Sequence, residues 1–318
     1  MSGSRSIVPV ATTALILFVA SSCSRRHQRE PDRREGQSES PATPAPLSPS
    51  SLEPAGSAAG IVPHGPGEIP FDYPVTETTA KAGDYVLAPS RSWVDEAFQR
   101  GADKQTFIYY GGWMREPGPK ESLIETLTRQ KTRIMNALII PIRRGEKAKP
   151  GDVVLTTWAS GTGMQRAIVV PGGTPEAPKV RYLDMDYDSP SGWGKKEDVL
   201  KPDTFHRLTK PGEIGTTLAC AEGGRNARYV LTNAQDDKLL VIGFAGRMKV
   251  ARKSECKPLP IDPKLRAGDP ASIALVGSFV EGKVSKVDPE VGRVFVEYEF
   301  GSQKKQEAVG YTNVAPAL

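Results

Sequence analysis

The chain is poor in the residues that carry chemistry. It holds 3 His and 3 Cys in 318 residues, and aromatics are only 7%. His27 and His64 lie where no apolar periodicity exists, and His206 has no neighbouring nucleophile or ligand in sequence. No Ser-His-Asp or Cys-His arrangement is visible, so no catalytic residue is assigned. Gly161-Thr162-Gly163 and Gly223-Gly224 lack the Lys-Ser/Thr that makes a glycine loop bind phosphate. No Lys/Arg run interleaves with aromatics, which argues against nucleic acid as a partner. The apolar stretch Ile7–Val19 is too short for a comfortable membrane span.

Hydrophobic content is low, at 38%, while Gly 31 and Pro 28 are high. That balance fits a disordered segment joined to a turn-rich fold. The net charge of +5 is unevenly spread. Six Arg against three acids make residues 1–36 positive, and residues 37–80 carry five acids with no Lys or Arg. The folded remainder is therefore basic, compatible with anionic partners such as polysaccharide or lipid head groups.

Met1–Cys23 reads as an export signal: Arg5, the apolar Ile7–Val19, then Ala20-Ser21-Ser22-Cys23. A Cys after such a stretch resembles the lipobox of bacterial lipoproteins. That resemblance implies lipidation of Cys23, cleavage before it and a membrane anchor in the cell envelope. Ala20 stands where that family carries a branched aliphatic residue, which leaves open cleavage after Ser22 and a secreted, soluble product. Arg25, Arg26, Arg29, Arg33 and Arg34 leave open an uncleaved anchor. Residues 24–80, with Pro41-Ala42-Thr43-Pro44-Ala45-Pro46, read as a disordered Pro/Ser-rich linker.

Beyond the linker one opening recurs: Lys81-Ala82-Gly83-Asp84, Lys149-Pro150-Gly151-Asp152, Lys210-Pro211-Gly212-Glu213 and Arg266-Ala267-Gly268-Asp269. Each begins 50–68 residues that read as about five short strands. The expected units are 81–143 (with insertions), 149–208, 210–260 and 266–318. The residues Ser92–Arg100 read as one or two helical turns, and Ser122–Gln130 is ambiguous between strand and helix. Units this short bury a face most readily by closing into small barrels.

The second unit carries Gly151-Asp152-Val153-Val154-Leu155, Trp158, Gly161, Ala167-Ile168-Val169-Val170, Val180-Arg181-Tyr182-Leu183-Asp184, Asp186 and Leu200-Lys201-Pro202. It resembles the Tudor family and its agenet relatives among the SH3-like small barrels. The resemblance implies an all-β chain of tandem five-stranded barrels. It also implies an aromatic cage at Trp158, Tyr182 and Tyr187, with Trp193 nearby, beside Asp184 and Asp186, able to hold a cationic or planar group. Against the cage, Trp158 and Tyr182 read more simply as ordinary barrel-rim or core aromatics. First and last strands pair in such barrels, so Cys220 and Cys256 form a feasible disulfide in an oxidising compartment.

Asp184-x-Asp186-x-Asp188 resembles the start of a calcium loop, but Ser189 and Lys195 stand where Gly and Glu are needed. No metal or cofactor is assigned. The reading is a non-catalytic, lipid-anchored binding or scaffold protein of the cell envelope. Its expected partners are the membrane, through Cys23, and an envelope protein or cell-wall polymer. The alternative is an exported enzyme, or enzyme accessory, acting on cell-wall polysaccharide through an acidic cleft at Asp184, Asp186 and Asp188.

Overall fold

The recurring openings fold as one turn repeated four times. The first residue's N–H donates to the fourth residue's carboxylate: Lys81 to Asp84 at 2.6 Å, Lys149 to Asp152 at 3.0 Å, Lys210 to Glu213 at 2.9 Å and Arg266 to Asp269 at 2.7 Å. The third residue takes a positive φ, 83°, 93°, 83° and 96° at Gly83, Gly151, Gly212 and Gly268, which a side chain would resist. In three of the units that glycine also donates its N–H into the second strand, at Met114, Val169 and Val284. In the third unit this role passes to Gly215, which donates to Leu231. The register there starts three residues beyond the glycine that the sequence pattern singles out.

The computed structural model describes residues 64–158, 163–184 and 197–318. The expected signal sequence, Cys23 and the linker as far as residue 63 lie outside the described residues. So do Asp186, Tyr187, Asp188 and Trp193.

The fold is all-β apart from one α-helix and five short 3-10 turns among the described residues. The first sheet holds β1 (Tyr85–Ala88), β2 (Tyr110–Glu116), β3 (Glu121–Thr126), β4 (Lys131–Met135) and β5 (Ile140–Pro141) in the order β4-β3-β2-β1-β5. The ambiguous 122–130 region is thus β3 and its turn. The second holds β6 (Val153–Trp158), β7 (Gly163–Gly173), β8 (Pro178–Tyr182), β9 (Glu197–Val199) and β10 (His206–Leu208), with β10 beside β6. The third set is β11 (Thr217–Glu222), β12 (Arg225–Gln235), β13 (Lys238–Ile242), β14 (Met248–Arg252) and β15 (Cys256–Pro258). The fourth is β16 (Pro270–Leu275), β17 (Ser278–Asp288), β18 (Arg293–Phe300), β19 (Gln303–Gly310) and β20 (Val314–Pro316). In every set four strands form an antiparallel meander and the fifth returns to pair with the first. In every set, too, the second strand carries a bulge, beginning at Met114, Val169, Leu231 and Val284. These are the residues bonded to the opening turn, so the strand bends where the turn grips it.

Two expectations need correction. No sheet closes into a barrel: the returning strands are two or three residues long, and Pro141 removes a ladder donor from β5. Nor are the third and fourth sets separate, because Ala227 on β12 pairs with Ser278 on β17 and makes one ten-stranded sheet. The physical reason is shared burial. One core runs through all four sets, from Tyr85 and Leu87 through Leu155 and Ile168 to Leu240, Ile273 and Val296. Each sheet covers its apolar face with its neighbours, at about 1.5–3 kcal/mol per buried side chain, so closure on itself is not required. A smaller core under the second sheet gathers Val154, Trp158, Ala167, Tyr182 and Phe205.

Between β1 and β2 the chain inserts α1 (Arg91–Arg100), where the sequence predicts helical turns. Val94 and Ala97, three apart, are its buried face, and Arg91–Asp95 and Glu96–Arg100 pair one turn apart on the surface. Gly101, at φ 96°, stops it and returns its N–H to the Ala97 carbonyl. After α1, residues 105–109 thread between the second and third sheets. Phe107 N–H bonds the Gly246 carbonyl at 2.9 Å, and Met164 N–H bonds the Tyr109 carbonyl at 2.7 Å. No helix among the described residues is long and apolar enough to cross a membrane. Cys220 on β11 and Cys256 on β15 face each other in register and are joined in a disulfide.

Candidate functional site

Trp158 ends β6 and Tyr182 ends β8, so both fall on the inner face of the second sheet. They are 4% and 0% exposed, with ring centroids 6.3 Å apart, packed into the small core. In this structure they hold the sheet together and do not line an open surface. The other expected cage residues, Tyr187 and Trp193, and Asp186 beside them, lie outside the described residues.

Asp184, two residues beyond the end of β8, is the hub of a polar cluster. Arg166, on β7, is 1% exposed and grips it from three directions: its N–H donates to Oδ2 at 2.9 Å, its Nε to Oδ2 at 2.8 Å, and its Nη2 to Oδ1. Arg228 Nη2, on β12, reaches Oδ1 at 3.3 Å, and Thr312 Oγ1 donates to the same oxygen at 3.0 Å. Arg166 Nη1 donates to Thr217 Oγ1, which donates to the Thr312 carbonyl at 2.7 Å. The cluster thereby ties the second, third and fourth strand sets together. Burial pushes the Asp184 pKa up, but Arg166 and Arg228 outweigh it and hold the carboxyl well below the usual carboxylate range. Burial and the Arg166 charge push Arg228 down to about 10, against the pull of Asp184. A carboxylate held ionised by two guanidiniums is unsuited to donate a proton near neutral pH. Among the described residues no group of three or more His, Cys, Asp and Glu could hold a metal ion. His206, on β10, lies 2.6 Å from the Glu146 carboxylate.

An open groove of about 960 Å³ lies on the first sheet, between α1 and the β3–β4 turn. One wall is Trp93 of α1 tilted against Tyr110 of β2, centroids 5.9 Å apart. Tyr110 is 38% exposed, and across the groove Leu127, in the β3–β4 turn, is 50% exposed. Arg129, two residues after Leu127 in that turn, takes a φ of 62°. The rest of the lining is rich in hydroxyls and amide: Ser90, Ser92, Thr126, Thr128, Gln130 and Thr132. Lys131 supplies an exposed positive charge, Arg91 is already paired with Asp95, and none of the described residues lining the groove is acidic.

The chain matches no protein-family model and no curated protein. Function must therefore be argued from sites. Sequence reasoning missed this groove because Trp93 sits in a short helix and Tyr110 in a strand. Nothing local marks either as exposed. A signal existed for Arg166: a charge at the head of the apolar run Ala167-Ile168-Val169-Val170 needs a buried partner.

Proposed function

We propose that the chain is a non-catalytic binding protein of the cell envelope, lipid-anchored through Cys23. Its four strand sets are SH3/Tudor-like units, and the first of them grips an acidic polysaccharide. The shared order of a four-stranded meander with a returning fifth strand, and the bulge in each second strand, support the SH3-like reading. The observation that carries the ligand is the groove beside Trp93 and Tyr110. Flat aromatic faces offer a sugar ring an apolar platform, while hydroxyls and amides answer its hydroxyl groups. Lys131, with no carboxylate among the described lining residues, favours an anionic polymer. A linker ahead of residue 64 gives the anchored protein reach into such a polymer.

The test is retention of the full chain on purified, protein-free envelope polysaccharide. The double substitution Trp93→Ala and Tyr110→Ala should reduce retention at least tenfold while the far-UV spectrum stays unchanged. Equal retention of the double variant would refute the groove as the site. Capture of envelope proteins in place of polysaccharide would favour the scaffold reading.

A further inference from the structure

The cluster around Asp184 closes one end of a second pocket, of about 370 Å³, between residues 106–109 and the second and third sheets. Its other walls are mainly apolar, formed by Phe107, Ile108, Leu155, Met164, Val230 and Ile242, with Thr106 and Gln165 among the remaining lining residues. The size falls in the range of small-molecule sites, roughly 300–1,000 Å³. Its polar end is not balanced. Arg166 and Arg228 bring two positive charges and Asp184 one negative, and no other described residue lining the pocket is charged. The Arg166 donors are satisfied by Asp184 and Thr217. Arg228 shares an Asp184 oxygen already taken by others, and its buried Nε has no hydrogen-bond partner among the described residues. A buried guanidinium N–H without an acceptor calls for an explanation, and an anion supplies one.

We propose that this pocket binds a small apolar monocarboxylate. Its carboxylate would sit on Arg228, and its hydrocarbon body would lie against Phe107, Leu155, Met164 and Val230. One negative charge neutralises the surplus, whereas a doubly charged phosphate would overcompensate it inside apolar walls. This ligand is distinct from the polymer proposed for the Trp93 groove, and the two sites stand or fall separately.

The experiment is equilibrium dialysis of the full chain against radiolabelled hexanoate, with hexanol and inorganic phosphate as competitors. Saturable binding at one site per chain is expected, displaced by neither competitor at equal concentration. Arg228→Gln should weaken it by about 10- to 100-fold, the range of one charge-assisted hydrogen bond. Met164→Trp, which fills the pocket without touching the charges, should abolish it. If Arg228→Gln fails to fold, Met164→Trp and the hexanol competition still decide. Absence of saturable binding, equal competition by hexanol or phosphate, or unchanged binding by Met164→Trp would each overturn the proposal.

Discussion

Arg166 Nε donates to Asp184 Oδ2 at 2.8 Å from a side chain only 1% exposed. Charge buried to that degree is tolerable only because it is paired. Removing the partner leaves Arg166 and Arg228 facing one another without compensation. Asp184→Asn should therefore destabilise the protein by about 3–5 kcal/mol at neutral pH, measured by urea unfolding. The pH dependence follows from the lowered native pKa of Asp184. Unfolded, the carboxyl titrates near about 3.9. Its stabilisation is complete above that value and is lost as pH falls through it toward the lower native value. Wild-type melting temperature should fall below about pH 4, and the Asp184→Asn variant should show a shallower acid limb. Parallel limbs would show that other carboxylates dominate.

The disulfide joins the first and last strands of the third set, whose pairing is otherwise three residues long. It closes a loop of 36 residues in the unfolded chain. The chain-entropy estimate for such a loop is about 4 kcal/mol. Cys220→Ala with Cys256→Ala, or reduction of the wild type, should lower unfolding stability by about 2–4 kcal/mol. A loss below 1 kcal/mol, on the order of a single hydrogen bond, would mean that β15 is held by packing alone.

How much of this was legible in the sequence depends on which residues carried a period. The openings with Gly83, Gly151 and Gly268 were legible because a turn leaves a local chemical signature, Gly beside a carboxylate. The offset to Gly215 was not, since hydrogen-bond register is settled by the partner strand. Strands such as β13 and β18 show in their apolar residues. β19 does not: Gln303 to Gln306 are all exposed, and its first half reads as loop. Its lysines suit an edge strand that must avoid pairing with other chains. Barrel closure was expected because each unit was weighed alone, whereas Leu155, Leu240 and Ile273 share one core. The sequence places Asp184 beside an expected cage or in an acidic cleft because it shows a carboxylate and not its partners, Arg166 and Arg228, 18 and 44 positions away.

Two glycines separate the cost of a turn from the cost of close packing. Gly151 has φ 93° and nothing within 4 Å of an added Cβ, so Gly151→Ala meets only backbone strain. That should cost about 1–2 kcal/mol. Gly163 has φ 82°, and its Cβ would lie 2.6 Å from the Tyr109 carbonyl oxygen and 2.5 Å from Ile108. Gly163→Ala should cost clearly more, about 3 kcal/mol or above, because residues 105–109 must also shift. Paired urea titrations check the order, and equal costs would contradict the described seating of that segment.

The proposed lipid anchor is tested at Cys23. Cells expressing the full chain should incorporate labelled palmitate into it, and Cys23→Ala should abolish label and release the protein from membranes. One acyl chain binds membranes only marginally, so stable association needs more than one. Unlabelled wild-type protein in the medium would instead support cleavage after Ser22.

The binding proposed for the groove of the first sheet mixes two kinds of recognition that salt can separate. Lys131 is exposed on its rim, and its attraction for an anionic polymer acts through water. Trp93, half-buried and packed against Tyr110, would act by contact. Lys131→Glu should weaken polysaccharide binding about three- to tenfold at low salt, as expected for about 1 kcal/mol of exposed electrostatics. The deficit should vanish at about 1 M salt, where the screening length shrinks to about 3 Å. Trp93→Ala should weaken binding by a similar or larger factor at both salt concentrations, because apolar contact does not depend on charge. Titrations of the two variants at both concentrations decide the matter. A Trp93→Ala deficit that disappears with salt would mean the aromatic wall only positions charge and does not itself touch the sugar.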